Sequence, residues 1–441
     1  MITDIEKAFI HFKDVADIYK GYFDYYDGDQ PLRYSAERLK KAFEQIDVKF
    51  RENWCAVVVD AVLDRLELYG WSAGDETVSN LLSEIWMNAG LALESNEVHE
   101  SALICGESFL VGWQDEGQPM EFYYNDPRRC ACFYDDDHPK VKTFAAKWWD
   151  ADDGAHMVLY YPDRLEKYIA RGRKFAEIDD KTGNSRVFSL ESSETNPYGV
   201  IPVFHFRNSL RTVKSDLKNV VESQDAINKL FGDMMVTAEF AAFPARYVIS
   251  NTEINELKNS PGQIWDLPAG LGEGQGTQVG TLEAANLANY SDQIDHLASY
   301  IAVVTKTPKH YLITTSAQIS GEALITMEAP LVKKVRKKEE LFGDVWQEVA
   351  VFALQLSGMS VKKTDIQPQW SDPEAEQPLT ETEIIRNYRG AGLPLKSSLR
   401  MVGYTEAEIA TIEEEMAEEK QANADLAALY LEQARSEERG D

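Results

Sequence analysis

"SDLKNVVESQDAINKLFGDMMVTAEFAAF", Ser215 to Phe243, is the stretch on which the fold turns. Leu217, Val220, Ile227, Phe231, Met234, Ala238 and Ala241 follow a seven-residue repeat, with Gln224 as the one polar substitution. That spacing predicts a helix with an apolar seam, opened by Ser215 as its N-cap. A second helix carries Leu287, Tyr290, Ile294, Leu297, Ile301 and Val304 on the same repeat. Between the two lies an insert rich in Gly and Pro, with short strand-like pieces at Arg246–Ile249 and Gln263–Leu267. Two seam-bearing helices therefore flank a compact, turn-rich insert.

Upstream, the first third reads as helix. Leu39, Phe43, Ile46, Phe50, Trp54, Val58 and Val62 form an amphipathic stripe between Ser35 and Trp71, with Gly70 as its stop. Glu76 to Leu110 supplies more helix, punctuated by Gly90 and Gly106. From Met120 to Ala170 aromatic and β-branched residues are broken by Asn-Asp-Pro, Asp-Asp-Asp-His-Pro and Asp-Asp-Gly, the pattern of antiparallel strands and tight turns. "NPYGVIPVFHFRN", Asn196 to Asn208, closes that region. The fold class expected is α+β, mainly α-helical.

Downstream, Thr305 to Ile319 is polar and lacks a helical period. "SGEALITMEAPLVKKVRKKEEL", Ser320 to Leu341, then reads as a long helix capped near Ser320, with Pro330 predicting a kink. Its apolar face is Leu331, Val335, Phe342, Val345, Val349 and Phe352, and Lys333, Lys334, Arg336, Lys337 and Lys338 are assigned to the other faces. Five unopposed cations on two turns repel one another, so an anionic partner is expected. An acidic protein surface, within or between subunits, is favoured over DNA. The last segment, from Asp372, reads as acidic helices, with Thr380-x-x-Glu383 and Thr405-x-x-Glu408 at capping-box spacing.

The 441 residues suffice for two or three domains, and 44% hydrophobic content marks a folded chain. A net charge of −29 argues against tight groove binding to DNA, though not against a protein that lets DNA pass without holding it. No apolar run reaches the roughly 18 residues that would span a bilayer, and the first residues do not read as a signal peptide. Cys55, Cys105, Cys130 and Cys132 lack the further Cys/His pair of a zinc site and read as buried thiols. The run Ala269–Gly280 has neither phosphate-loop nor dinucleotide-loop spacing, and "DADDG" at Asp150–Gly154 misses the calcium-loop pattern. "DDDH" at Asp135–His138 reads as an exposed turn. No His, Ser or carboxylate arrangement marks a catalytic centre, so no catalytic residue, metal or cofactor is expected.

The order of these stretches is similar to that of the portal, or head-to-tail connector, proteins of tailed bacteriophages. The resemblance runs from about residue 15 to about 430. It is carried in order by "YYDGDQPL", "NWCAVVVDAVLDRLELYGW", "YNDP…FYDDD", "LYYPDRLEKY", "NPYGVIPVFHFRN", the 215–249 stretch and "TPKHYL…ISGEALITMEAPLVKKVRKKEELFGDVWQEV". It implies a homo-oligomeric ring, usually of twelve subunits, at one capsid vertex. Double-stranded DNA would be driven through that ring by the terminase and later ejected, and head-completion and tail proteins would attach to it. Major capsid and scaffolding proteins would be further partners, with no membrane involved. The location implied is the virion, after assembly in the host bacterial cytoplasm.

By position the resemblance implies a wing of helices and antiparallel β (1–214), paired stem helices (215–242 and 284–304) and a small α/β clip (243–283). It also implies a tunnel loop (305–319), a long kinked helix with the rest of the wing (320–371), and a helical crown (372–441). Lys306, Lys309 and His310 in the tunnel loop would approach phosphates, and Leu217, Val220, Ile227, Phe231, Met234, Leu287, Ile294, Leu297 and Ile301 would form the stem seam. Paired helices suit a closing heterologous contact between neighbours. A helical adaptor or scaffolding protein without a DNA channel is the alternative reading, followed by an acidic hydrolase using the β region.

Overall fold

The computed structural model describes residues 3–31, 52–115, 117–178, 187–242, 246–249, 278–282, 286–313, 321–374, 378–405, 408–417 and 420–421. It holds two compact units, Met1–Pro373 and Glu374–Asp441. Among the described residues no helix is long and apolar enough to cross a membrane.

The first unit opens with α1 (Asp4–Tyr26), where Thr3 and Glu6 exchange the two bonds of a capping box. Then follow α2 (Trp54–Leu63), β1 (Leu68–Ala73), α3 (Glu76–Asn88) and α4 (Leu91–Cys105). Strands β2 (Glu107–Trp113), β3 (Glu121–Asn125), β4 (Cys130–Tyr134), β5 (Lys142–Ala151), β6 (Gly154–Tyr160), β7 (Arg164–Arg171), β8 (Ser189–Thr195) and β9 (Val203–Arg207) come next. They build an antiparallel β3-β2-β9 sheet and an antiparallel five-stranded meander, β4 to β8. The chain continues through α5 (Val221–Ala242), the hairpin strands β10 (Arg246–Ile249) and β11 (Gln278–Thr281), α6 (Ala288–Thr305), one-turn α7 (Lys309–Leu312), α8 (Gly321–Leu356) and β12 (Ile366–Trp370). The protein is thus α+β with antiparallel sheets, as the turn-broken aromatic pattern predicts.

One core joins the early helices, the β3-β2-β9 sheet, the α5–α6 pair and α8. At its centre the rings of Trp71, Trp86 and Trp346 meet, with centroids 4.9 Å apart for Trp71–Trp86 and 5.9 Å for Trp86–Trp346. A second core packs α1 through Phe9 and Phe12 onto the meander. Where α1 crosses the smaller sheet, buried Glu107 accepts hydrogen bonds from Tyr19 Oη (2.5 Å) and His205 Nε2 (2.8 Å). Burial pushes the Glu107 carboxyl up, but these two donors outweigh it and hold it below its ordinary range.

Several expected helices are shorter. The helix read from Ser35 to Trp71 ends at Leu63, and its positions Leu39, Phe43, Ile46 and Phe50 lie outside the described residues. Leu68–Ala73 is instead a strand paired with Ile366–Trp370, with a bulge between Leu68 and Gly70, the residue taken for a helix stop. The stretch from Glu76 breaks at Gly90 and stops at Gly106, so Glu107–Leu110 is strand, not helix. Its side chains are buried on both faces, so the stretch has no period to separate it from helix.

Ser215 is not a helix cap. It sits in a turn, where its Oγ accepts from Leu217 N at 2.9 Å, and the helix begins at Val221. Leu217 and Val220 are fully buried in that turn, so they belong to the core and not to a helical seam. Gln263–Leu267 and most of the Gly-rich run lie outside the described residues. Within Thr305–Ile319, α7 forms where Pro308, at φ −57°, presets a helical start; residues 314–320, including the expected cap Ser320, lie outside the described residues.

In the second unit α9 (Pro378–Gly390) and α10 (Leu395–Val402) precede a helical stretch at 408–417. Thr380 lies within α9 as described, Pro378–Gly390, and residues 375–377 before it lie outside the described residues. Thr405 and Glu408 do form a capping box: Thr405 N donates to Glu408 Oε2 (2.8 Å) and Glu408 N to Thr405 Oγ1 (3.3 Å).

Candidate functional site

The five cations of α8 do not act as one patch. Positions 331, 335, 338 and 342 are spaced four, three and four apart, so Lys338 lies on the buried face of α8 and not on the solvated faces assigned to it. Its Nζ donates to Asn208 O (3.2 Å), contacts Asn208 Oδ1, and pairs with Asp216 Oδ1 at 3.5 Å. One turn earlier, Lys334 Nζ pairs with Asp216 Oδ2 (2.9 Å) and donates to Thr305 O (3.1 Å) at the end of α6. Arg336 lies on another side and reaches Asp372 at 3.5 Å. Lys333 and Lys337 are exposed.

Asp216 is the hub. Its side chain is 12% exposed, against 13% for Lys334 and 10% for Lys338. Burial alone would raise its carboxyl. Lys334 and Lys338, aided by Asn208, reverse that and hold it at about 2. Burial also pushes the Lys338 ammonium down, against the pull of Asp216. Asn208 orients the carboxylate through Nδ2, which donates to Asp216 Oδ1 (2.8 Å) and to Lys214 O (2.9 Å).

The 208–216 segment is fixed by the end of α4. Asp216 N donates to Leu103 O (3.0 Å) and Asn208 N to Gly106 O (2.9 Å), satisfying carbonyls that the helix leaves open. Gly106 has φ +97°, and a Cβ there would stand 2.6 Å from the carbonyl carbon of Lys214. Gly106→Ala is therefore expected to cost roughly 1–3 kcal/mol through strain and the displacement of this segment. A thermal melt beside wild type checks it, and an unchanged midpoint would refute the close-packing role.

Around this hub lies a cleft of about 510 Å³, bounded by residues 208–219, the end of α6 and the α8 cations. Lys306 stands at its edge with φ +63°, the only non-glycine residue with positive φ among those described. Lys309 and His310 turn to carboxylates of their own chain. Lys309 Nζ meets Asp295 Oδ2 at 2.8 Å, and His310 Nε2 lies 3.7 Å from Glu328 Oε1. Glu328 also takes Arg65 (3.2 Å) and the Tyr311 hydroxyl (3.1 Å), tying the turn after α2 and α7 to α8. The three tunnel-loop candidates thus separate: Lys306 joins the cleft, and the other two are engaged elsewhere. Pro330 lies inside α8, which continues unbroken to Leu356.

The helix pair α5–α6 is joined through the antiparallel β10–β11 ladder. Ile227, Ile294 and Ile301 are buried, whereas Phe231, Met234, Leu287 and Leu297 remain half-buried. Gln224, the polar break in the seam, accepts from Trp54 N (2.9 Å) and donates to Glu52 O (2.7 Å), serving the start of α2.

Asn208 and Asp216 were missed in the sequence. They stand more than 100 residues from the lysines they bind, and one Asp among 74 acidic residues carries no local signal. Lys338 could have been found, since its spacing from Leu331, Val335 and Phe342 places it on the apolar stripe.

A family model described as "Phage portal protein, SPP1 Gp6-like" matches residues 11–422. The chain belongs to this phage portal protein family, a structural, non-enzymatic one. It is similar to the portal protein of Mycobacterium phage D29, 27% identical over 389 residues that cover 79% of this chain and 75% of that one. The portal protein of Mycobacterium phage L5 is 24% identical over 417 residues, covering 84% and 81% of the two chains. Among solved structures, a chain of the virion of a native gene transfer agent particle is similar with a TM-score of 0.47 and 12% identity, over 80% of this chain and 89% of that one.

Proposed function

We propose that this protein is the portal subunit of a tailed phage, forming a ring of twelve copies at one capsid vertex. Double-stranded DNA enters through the ring, driven by the terminase large subunit, and leaves by the same channel. Head-completion and tail proteins dock on the ring, and the major capsid and scaffolding proteins surround it during assembly in the host cytoplasm. The observation that carries this reading is the family match over residues 11–422. The half-buried apolar residues of α5 and α6 support it, because a seam left partly open within one subunit suits packing against a neighbour.

The regions divide as wing (1–214 and 320–371), stem (215–242 and 284–304), clip (243–283), tunnel loop (305–319) and crown (372–441). Lys306, Lys309 and His310 are the tunnel-loop cations proposed to approach phosphates. Pro330 bends α8 outward from the channel. Electron microscopy of the purified protein tests the proposal: a symmetric ring with a hole wide enough for a duplex is expected, and a compact monomer would overturn it. Lys306→Glu with Lys309→Glu is expected to impair packaging or retention of DNA, and unchanged packaging would remove the tunnel-loop assignment.

A further inference from the structure

We infer that the cleft between residues 208–219, the end of α6 and the α8 cations is a docking site for an acidic segment of a second copy of this chain. The inference rests on the ring proposed above and adds to it a contact with a defined sign of charge.

Asp216 is already committed to Lys334 and Lys338. Five further cations line or rim the same cleft: Arg211, Lys214, Lys306, Lys333 and Lys337. None of the five has a carboxylate partner among the described residues, and all are exposed. They come from three separate parts of the chain, so the concentration is made by the fold and is not a run of one helix face. Lys306 holds its place in a left-handed conformation that non-glycine residues rarely adopt.

The occupant follows from charge and shape. Each copy carries −29, so subunits that assemble must overcome mutual repulsion by placing cationic surface where they touch. With 74 acidic residues, another copy offers the matching anionic surface. The cleft also exposes Leu210, Val304 and Leu341, which suit a polypeptide bearing both carboxylates and apolar side chains. A DNA duplex is a convex rod and would touch only the rim.

The test uses the full chain, prepared in light and in ¹⁵N-labelled form, assembled together and treated with a zero-length carbodiimide crosslinker. Mixed-label crosslinks from Lys214, Lys306, Lys333 or Lys337 to an Asp or Glu are expected. Lys333→Glu/Lys337→Glu should raise the concentration of half-assembly about tenfold or more at low salt, measured by analytical ultracentrifugation. Lys333→Gln/Lys337→Gln should give a smaller rise, and high salt should narrow the gap between variants and wild type. Both positions are exposed, so circular dichroism should show an unchanged fold.

Only same-label crosslinks, or assembly unaltered by both variants, would overturn the inference. So would loss of binding to a short DNA duplex with assembly intact, which would assign the cleft to nucleic acid. If wild type forms no ring yet yields mixed-label crosslinks here, the ring reading falls and the docking site stands. If rings form with no such crosslink, the ring stands and the docking site falls.

Discussion

Replacing Asp216 by alanine is expected to lower the stability of the first unit by about 3–5 kcal/mol, because two nearly buried ammonium groups lose their shared counter-ion. The loss should depend on acidity. The folded state holds the Asp216 carboxyl at about 2, below its ordinary 3.8. A depressed carboxyl contributes stability that is present above the unfolded value and vanishes as pH falls through the folded one. The shift corresponds to about 2–3 kcal/mol at neutral pH. The gap between wild type and Asp216→Ala in denaturant titrations should therefore narrow by about 2–3 kcal/mol between about pH 4 and pH 2. A gap that stays constant over that window would mean that the lysines, not the carboxylate, account for the effect. Lys338→Met keeps the buried stem and removes one of the two charges, so its cost should be much smaller than that of Asp216→Ala.

The second large effect is expected at Trp346. Its ring is fully buried against Trp71, Trp86 and Phe206, and its Nε1–H donates to His99 Nε2 at 2.9 Å. Burial pushes the His99 imidazole down to about 3, so it stays neutral and can accept that bond. Trp346→Ala should cost about 3–5 kcal/mol, the usual range for emptying a core aromatic site. Trp346→Phe should cost about 1–3 kcal/mol, since it keeps most of the packing but leaves a buried acceptor unpaired. Urea unfolding followed by circular dichroism checks both, and equal losses for Ala and Phe would show that the hydrogen bond dominates over packing.

Local rules read some of this structure well. The aromatic, turn-broken run from Met120 gave strands because tight turns and β-branched or aromatic content are encoded within a few residues. Gly90 and Gly106 were correctly marked as punctuation, since left-handed backbone leaves a trace in residue type. What followed Gly106 was not legible, because a strand buried on both faces has no period. The start of α5 was misread because a serine oxygen serves a turn as readily as a helix end. At the cleft, the cation count was evident, but the division of labour among Lys333, Lys334, Arg336, Lys337 and Lys338 was not. That division depends on Asp216, Asn208 and Asp372, which only tertiary contact brings near α8.

The β1–β12 pair has a consequence for how the chain is made. Leu68–Ala73 cannot complete its ladder until Ile366–Trp370 has left the ribosome, and Trp71 and Trp86 wait equally for Trp346. Contacts of such long sequence separation form late. The meander β4 to β8 uses only neighbouring strands and can close during synthesis, whereas the main core stays open until nearly the whole first unit has been translated. Nascent chains are thereby kept from presenting a finished subunit before residue 370 is in place.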